Sequence, residues 1–429
     1  MDARTSIVGG SGEYARRPTD VAFALTGLGG SNAFGAGFLQ AALDHGITPR
    51  IVTCTSGMIY WTWRWLEARR ANARDPQPGR LRREVEAMIA KAEPFPKSLG
   101  GLNAWLMATM AVPDVFRWAH REYVARFFTT PLFGTDAIYP DAWLDLIFPA
   151  QLMVPTRSPQ TFADMAAAFT AEPEIGICFN SFLAETGTEY LHANTAARTL
   201  LSAEEERMVR IKAGRTSTAA TRPRRRTLTR KVVDGITAQD IEDALWLTLY
   251  GAHSNVGRGG YADRLDGAYV RSVILSELTM VDTVLMPRPV ATQRKDFPSN
   301  YFEVEDFKTE LWWNASCSPQ VAAIEFVNTL ARDGCTVTVK DRDSGEARTL
   351  AFREVDVVPI EIDVDRGYFA YFREDLATFD RGYNEARIAF DRLEKGGGSG
   401  QAATAAAGPA EAATVLGELE PRELRPAAA

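Results

Sequence analysis

Two short apolar runs, VAFALT at 21–26 and RIVTCT at 50–55, each stop at small residues and each lead into a helical pattern, and this pairing constrains the fold more than any other feature. A brief apolar run of this kind is the pattern of a strand buried on both faces, as in parallel sheets. Between the runs, Ala33 to His45 sets Phe34, Phe38, Leu39 and Leu43 at helical spacing and closes at Gly46, a C-terminal cap, ahead of Pro49. The result is a β-α-β unit. A second helix is expected from Ser56 or Gly57 onward, in SGMIYWTWRWLEARR, with a basic last turn suited to the helix dipole. Its aromatic residues Tyr60, Trp61, Trp63 and Trp65 cover more than one face and are expected to pack against the segment from about 75 onward, with a lining for an apolar ligand chain as the alternative.

From about 75 to 170 the sequence reads as mostly helical, divided by prolines from Pro94 to Pro155, and is expected to be an insertion between sheet strands. Within it, AWLMATMAV at 104–112 with Phe116, Trp118, Phe127 and Phe128 reads as a helical cap or a lid. Residues 174–192 read as two strands around a Thr186-Gly187 turn. A helix is expected at 239–250, a strand at 281–287, a helix near 319–332, short strands to about 362 and a last helix near 379–394. Residues 210–231 hold nine lysines and arginines and no acid, which predicts an exposed loop. The first 18 residues are polar and unpatterned, and the low-complexity stretch 395–429 has too few apolar residues to join a core. One domain over 19–394 is therefore expected.

A net charge of -7 argues against a nucleic-acid binder, so any basic site must be local. The four cysteines, Cys54, Cys178, Cys317 and Cys335, form no Cys-x-x-Cys pair, which argues against a zinc site and for a reducing compartment. No signal-peptide core and no run of 18 apolar residues occurs, so a cytoplasmic protein is expected.

The chemistry should lie in the two turns, TGLGGSNAFGAGFLQ at 26–40 and CTSGM at 54–58. Each joins a strand to a helix and presents backbone N–H groups, which bind phosphate or the oxyanion formed when a serine attacks a carbonyl. A dinucleotide site would need an acid at the end of the second strand, and that strand ends in Cys54, Thr55 and Ser56. Ser56 is the residue that a sharp elbow would expose, although a serine there can also merely cap a helix. A histidine base following the acid is absent, because His45, His120, His192 and His253 all precede Asp266. Asp266-Gly267 on its own also reads as a tight turn.

Taken together, the chain resembles the patatin-like phospholipase family. The resemblance rests on Gly27, Gly29 and Gly30 after the first strand, on Ser56 after the second, and on Asp266-Gly267-Ala268 much later, with GFLQAALDHGI, the hairpin at 186–187 and RGYNEARIAF in the family's order. It spans roughly residues 19–394 and implies a patatin-like three-layer α/β/α sandwich with a mainly parallel sheet and a long helical insertion. It further implies a phospholipase A-type or carboxylesterase activity through an acyl-enzyme, with Ser56 as nucleophile and Asp266 as base. Gly27, Leu28, Gly29, Gly30 and Gly57 would form the oxyanion hole, and no cofactor or metal is implied. The implied partner is a phospholipid or other acyl ester; independently of the resemblance, the basic run Arg222 to Lys231 reads as a solvated loop or, alternatively, as a contact for an anionic membrane surface. Leu28, Asn32 and Met58 depart from the family pattern, as does the small and tolerable Cys54, and the first three leave an inactive lipid-binding or scaffold protein as the alternative.

Overall fold

The computed structural model describes residues 20–28, 31–91, 116–118, 153–155, 159–201, 229–246, 264–290, 298–299, 301–340, 347–362 and 375–396. Two compact units divide the chain. Thr19–Phe390 is one; Met1–Pro18 with Asp391–Ala429 is the other, and its described part is the end of a helix. The expectations for 1–18 and for the tail from 397 fall outside the described residues, as do those for 104–112 and for Phe127 and Phe128.

An eight-stranded, mainly parallel sheet forms the centre, flanked by helices as a three-layer α/β/α sandwich. β1 (Val21–Leu25) and β2 (Ile51–Cys54) pair in parallel across α1 (Asn32–Asp44), so the predicted β-α-β unit is present. Every residue of both strands is buried, which is why they read as continuous apolar runs rather than alternating ones. Gly46 ends α1 at φ 63°, donating to the Leu43 carbonyl while Ile47 donates to Ala42. α2 (Met58–Asn72) comes directly after β2.

In the insertion, α3 (Arg80–Lys91) and α4 (Pro159–Thr170) bear out part of the helical expectation. A small antiparallel pair, β3 (Phe116–Trp118) with β4 (Met153–Pro155), corrects it at those two places, since three-residue strands carry no periodicity long enough to read, and 92–115, 119–152 and 156–158 lie outside the described residues. β5 (Gly176–Leu183) and β6 (Thr188–Ala193) form the predicted hairpin, with Gly187 at φ 61° in its turn. β7 (Thr229–Asp234) pairs with β6 and corrects the end of the basic loop. Arg230 binds Glu189 at 3.0 Å and Glu277 at 2.7 Å, and Lys231 lies over the Tyr190 ring, so paired acids and an aromatic face absorb charges that looked solvated. Residues 202–228 lie outside the described residues.

α5 (Ala238–Ala244) opens with a Thr237–Asp240 capping box, and its predicted extension to 250 runs outside the described residues. β8 (Arg264–Asp266) and β9 (Thr283–Arg288) come next. α6 (Tyr301–Arg332) starts well before the predicted helix and carries Pro319 in its interior. A proline there costs about 3 kcal/mol. Trp313, Cys317 and Ile324, buried on both sides of it, offset that cost. β10 (Thr336–Lys340) and β11 (Ala347–Ala351) make a separate antiparallel pair, and β12 (Asp356–Glu361) completes the sheet beside β9. α7 (Leu376–Gly396) is the final helix.

Alternation along β1 divides the core. Ala22 and Ala24 join Ile51, Cys178, Val284, Cys317 and Ile324 on the α6 side, whereas Phe23 meets Phe38 of α1 and Trp65 of α2 on the other. Trp65 thus packs on the sheet itself, a correction to its expected place against the insertion, and Trp61 is equally buried.

Candidate active site

Strand register brings the two candidate residues together. Cys54 at the end of β2 lies beside Phe179 of β5, so the chain passes Ser56 at about the level of Ser181. β6 already occupies the far edge of β5 over residues 178–183, so β8, pairing antiparallel with Ser181 to Leu183, takes the edge that β2 has just vacated. Asp266 pairs with Ser181 and is the β8 residue nearest the end of β2. A serine and an aspartate separated by 210 positions therefore meet at the carboxyl edge of the sheet, where open α/β sheets place their sites.

Ser56 has φ 51°, and among the described residues it is the one non-glycine with positive φ. Such a conformation costs on the order of 1–3 kcal/mol and persists only where the surroundings impose it. Here the imposing group is the first turn. A methyl on Gly27 would collide with the Thr55 carbonyl oxygen and come within 2.8 Å of Ser56 Cβ, so the two turns touch backbone to backbone. Gly27→Ala should accordingly destabilise the protein by about 1–3 kcal/mol, read as a lower urea midpoint with an unchanged slope. An unchanged midpoint would mean that the turns separate without cost.

Asp266 is fully buried; its Oδ1 accepts the Ala268 N–H at 2.8 Å, and its own N–H donates to the Trp246 carbonyl. Burial pushes its carboxyl above the usual carboxylate range to about 7, against the opposing influence of hydrogen bonds from the Ser56 hydroxyl and the Ala268 N–H. Oδ2 accepts no hydrogen bond among the described residues, so the Ser56 hydroxyl lies close enough to influence the carboxyl without a well-formed hydrogen bond to it. Gly267 is required because Asn180 presses on it, with Nδ2 2.6 Å from where a methyl would stand.

Sequence reasoning missed the residues that hold these pieces together. Thr55 Oγ1 accepts the Gly27 N–H at 3.1 Å and donates to the Ser272 carbonyl at 2.9 Å, and Thr53 donates to the Ile274 carbonyl at 2.8 Å. Thr53 on β2 and Thr55 just past its end, both buried, thus bind the segment after Asp266; their polar spacing within an apolar run was the available signal. Arg271 adds a second anchor, donating to Glu189 at 2.9 Å and to Glu277 at 2.6 Å in a buried network.

Two of the five expected oxyanion donors need correction. The Gly27 N–H is taken by Thr55 Oγ1, and the Leu28 N–H donates to Asn32 Oδ1 at 3.0 Å, so neither is available in this arrangement. The Gly57 N–H makes no hydrogen bond within the described residues, while Gly29 and Gly30 lie outside them. The departures from the family pattern find places. Met58 is buried with its sulfur against Gly35 of α1, and burial pushes the Cys54 thiol up to about 12, which keeps it protonated and unreactive. Leu28 packs with Val290, Trp312 and Trp313, and Trp312 meets Tyr269, three residues after Asp266, at 5.9 Å.

A second serine, Ser181, also lies near a histidine and an aspartate: its Oγ is 2.8 Å from His192 Nε2, whose Nδ1 is 3.4 Å from Asp240 Oδ1. Ser181 and His192 are wholly buried in the middle of adjacent strands. Burial lowers the His192 pKa to about 4, with Asp240 pulling up and Arg264 down, so the ring is a weak base in a site no substrate reaches. His192 lies in the core, and His45 stands edge-on to Phe390. His120 and His253 lie outside the described residues. Among the described residues, no cluster of three His, Cys, Asp or Glu ligand atoms includes Asp266. None of the described helices is long and apolar enough to cross a membrane.

No family model matches this chain, and no curated protein is similar to it.

Proposed function

We propose that this protein is a lipid acyl hydrolase, of carboxylesterase or phospholipase A type, working through a Ser56–Asp266 dyad. The observation that carries the reading is a serine held at φ 51° against a fully buried aspartate with a pKa of about 7. Strain at the elbow presents the hydroxyl, and an aspartate of that pKa is a base matched to neutral pH. Asp266 accepts the Ser56 proton as Oγ bonds to the ester carbonyl carbon, and the carbonyl electrons move onto oxygen. Collapse then expels the alcohol, which takes the proton from Asp266 and leaves an acyl-Ser56. Water, deprotonated by Asp266, releases the acid and restores the hydroxyl. Leu28, Tyr269 and Trp312 offer an apolar surface for an acyl chain.

The alternative, an inactive lipid-binding or scaffold protein, draws on the engaged N–H groups of Gly27 and Leu28. A fluorophosphonate probe separates the two, since it should label the wild type and not Ser56→Ala; an unlabelled wild type would sink the enzyme reading. If Asp266 is the base it must be ionised, so kcat/KM on a short acyl ester should rise with pH to a plateau above about 7. A profile flat from pH 5 to 9 would remove Asp266 from that role. The proposed setting is the cytoplasm, with contact to anionic membrane surfaces through Arg222, Arg224, Arg225 and Arg226, because Arg230 and Lys231 are already engaged.

A further inference from the structure

We propose that the side-chain amide of Asn32 donates to the oxyanion, in place of the Gly27 and Leu28 backbone N–H groups; this rests on the acyl-hydrolase reading above. Asn32 is the first residue of α1, about 1% exposed, and stands between the two turns. Its Oδ1 accepts the Leu28 N–H at 3.0 Å, which fixes the orientation of the amide, because the opposite one would set two donors against each other. Nδ2 is therefore the atom against the elbow. It occupies the place that a side chain at position 57 would fill, with Cγ 2.8 Å from that point, so Asn32 lies directly on the Cα of the residue after the nucleophile.

An oxyanion formed at Ser56 needs donors about 3 Å away, and the N–H of the residue after the nucleophile is one of them. The Gly57 N–H fits that role. The other donor should come from the first turn, where, among the described residues, Thr55 and Asn32 have taken the N–H groups of Gly27 and Leu28. Asn32 reaches the elbow from that same turn. Its amide completes the pair: as Ser56 Oγ bonds to the carbonyl carbon and its proton passes to Asp266, the negative oxygen accepts from Gly57 N–H and Asn32 Nδ2–H. This also accounts for the glycine at 57, since any larger residue would evict the amide.

The test compares wild type, Asn32→Ala and Asn32→Asp on p-nitrophenyl butyrate and on its thiono analogue, whose sulfur accepts hydrogen bonds poorly. Asn32→Asp retains an acceptor for the Leu28 N–H and lacks the donor, so it separates donation from positioning. Both variants should lower oxoester kcat by about 100- to 1,000-fold, with KM within about threefold and thionoester turnover reduced less than about tenfold. Equal losses on both esters, or a near-wild-type rate in Asn32→Asp, would overturn the donor role and leave the acyl-hydrolase reading intact. A wild type that neither turns over ester nor takes the fluorophosphonate at Ser56 would overturn both.

Discussion

Ser56→Ala and Asp266→Asn should each lower ester turnover by at least about a thousandfold while leaving a folded protein, because a nucleophile and its base act as one unit. Neither change should disturb the site mechanically. Alanine at 56 keeps the Cβ that lies against Gly27, and asparagine at 266 keeps an oxygen for the Ala268 N–H. The double variant should lose no more than the worse single one. Purified protein with matched far-ultraviolet spectra is assayed on p-nitrophenyl butyrate. Turnover within tenfold of wild type in either single variant would break the dyad, and the buried Asp266 would then be only a structural acid.

The first turn, α1 and β2 were legible because their environments are uniform: a strand buried on both faces shows itself as an unbroken apolar run, and Gly46 marks a helix end that only positive φ can make. Ser56 and Asp266 were legible through the order of the glycine-rich turn, the serine elbow and the Asp-Gly-Ala triplet, whereas their juxtaposition was not. It depends on β8, three residues long, filling the edge that β2 leaves, and no periodicity marks so short a strand. Charge misled at Arg230, whose partners Glu189 and Glu277 lie 41 and 47 positions away. The start of α6 at Tyr301 was missed, because local propensity cannot register the burial of Trp313 and Ile324 on either side of Pro319. The engagement of the Gly27 and Leu28 N–H groups was missed for a related reason. Backbone N–H groups in a glycine-rich turn look free until Thr55 and Asn32, both short polar residues, are seen to be bound to them.

Asp266→Asn should also stabilise the protein above neutral pH, which sets the chemistry of the site against the stability of the fold. The carboxyl is fully buried, and burial raises its pKa from the ordinary 3.8 to about 7. An acid with a raised folded-state pKa contributes stability that is fully present below the unfolded value and is lost as pH rises through the folded one. Between about pH 4 and 7 the unfolded chain sheds this proton and the native state keeps it, so the native state weakens relative to the unfolded chain across that window. The accumulated loss is on the order of 4 kcal/mol by pH 8.5, a large share of a typical domain's margin. Asparagine does not ionise, so it escapes this loss. Urea unfolding at pH 4.5 and pH 8.5 reads the difference: the variant should match the wild type to within about 1 kcal/mol at the lower pH and exceed it by several at the higher. The slopes should agree, since the surface exposed on unfolding is the same. Identical stabilities at pH 8.5 would mean that the Asp266 carboxylate is solvated or paired in the native state, and its suitability as a base near pH 7 would lose its physical cause.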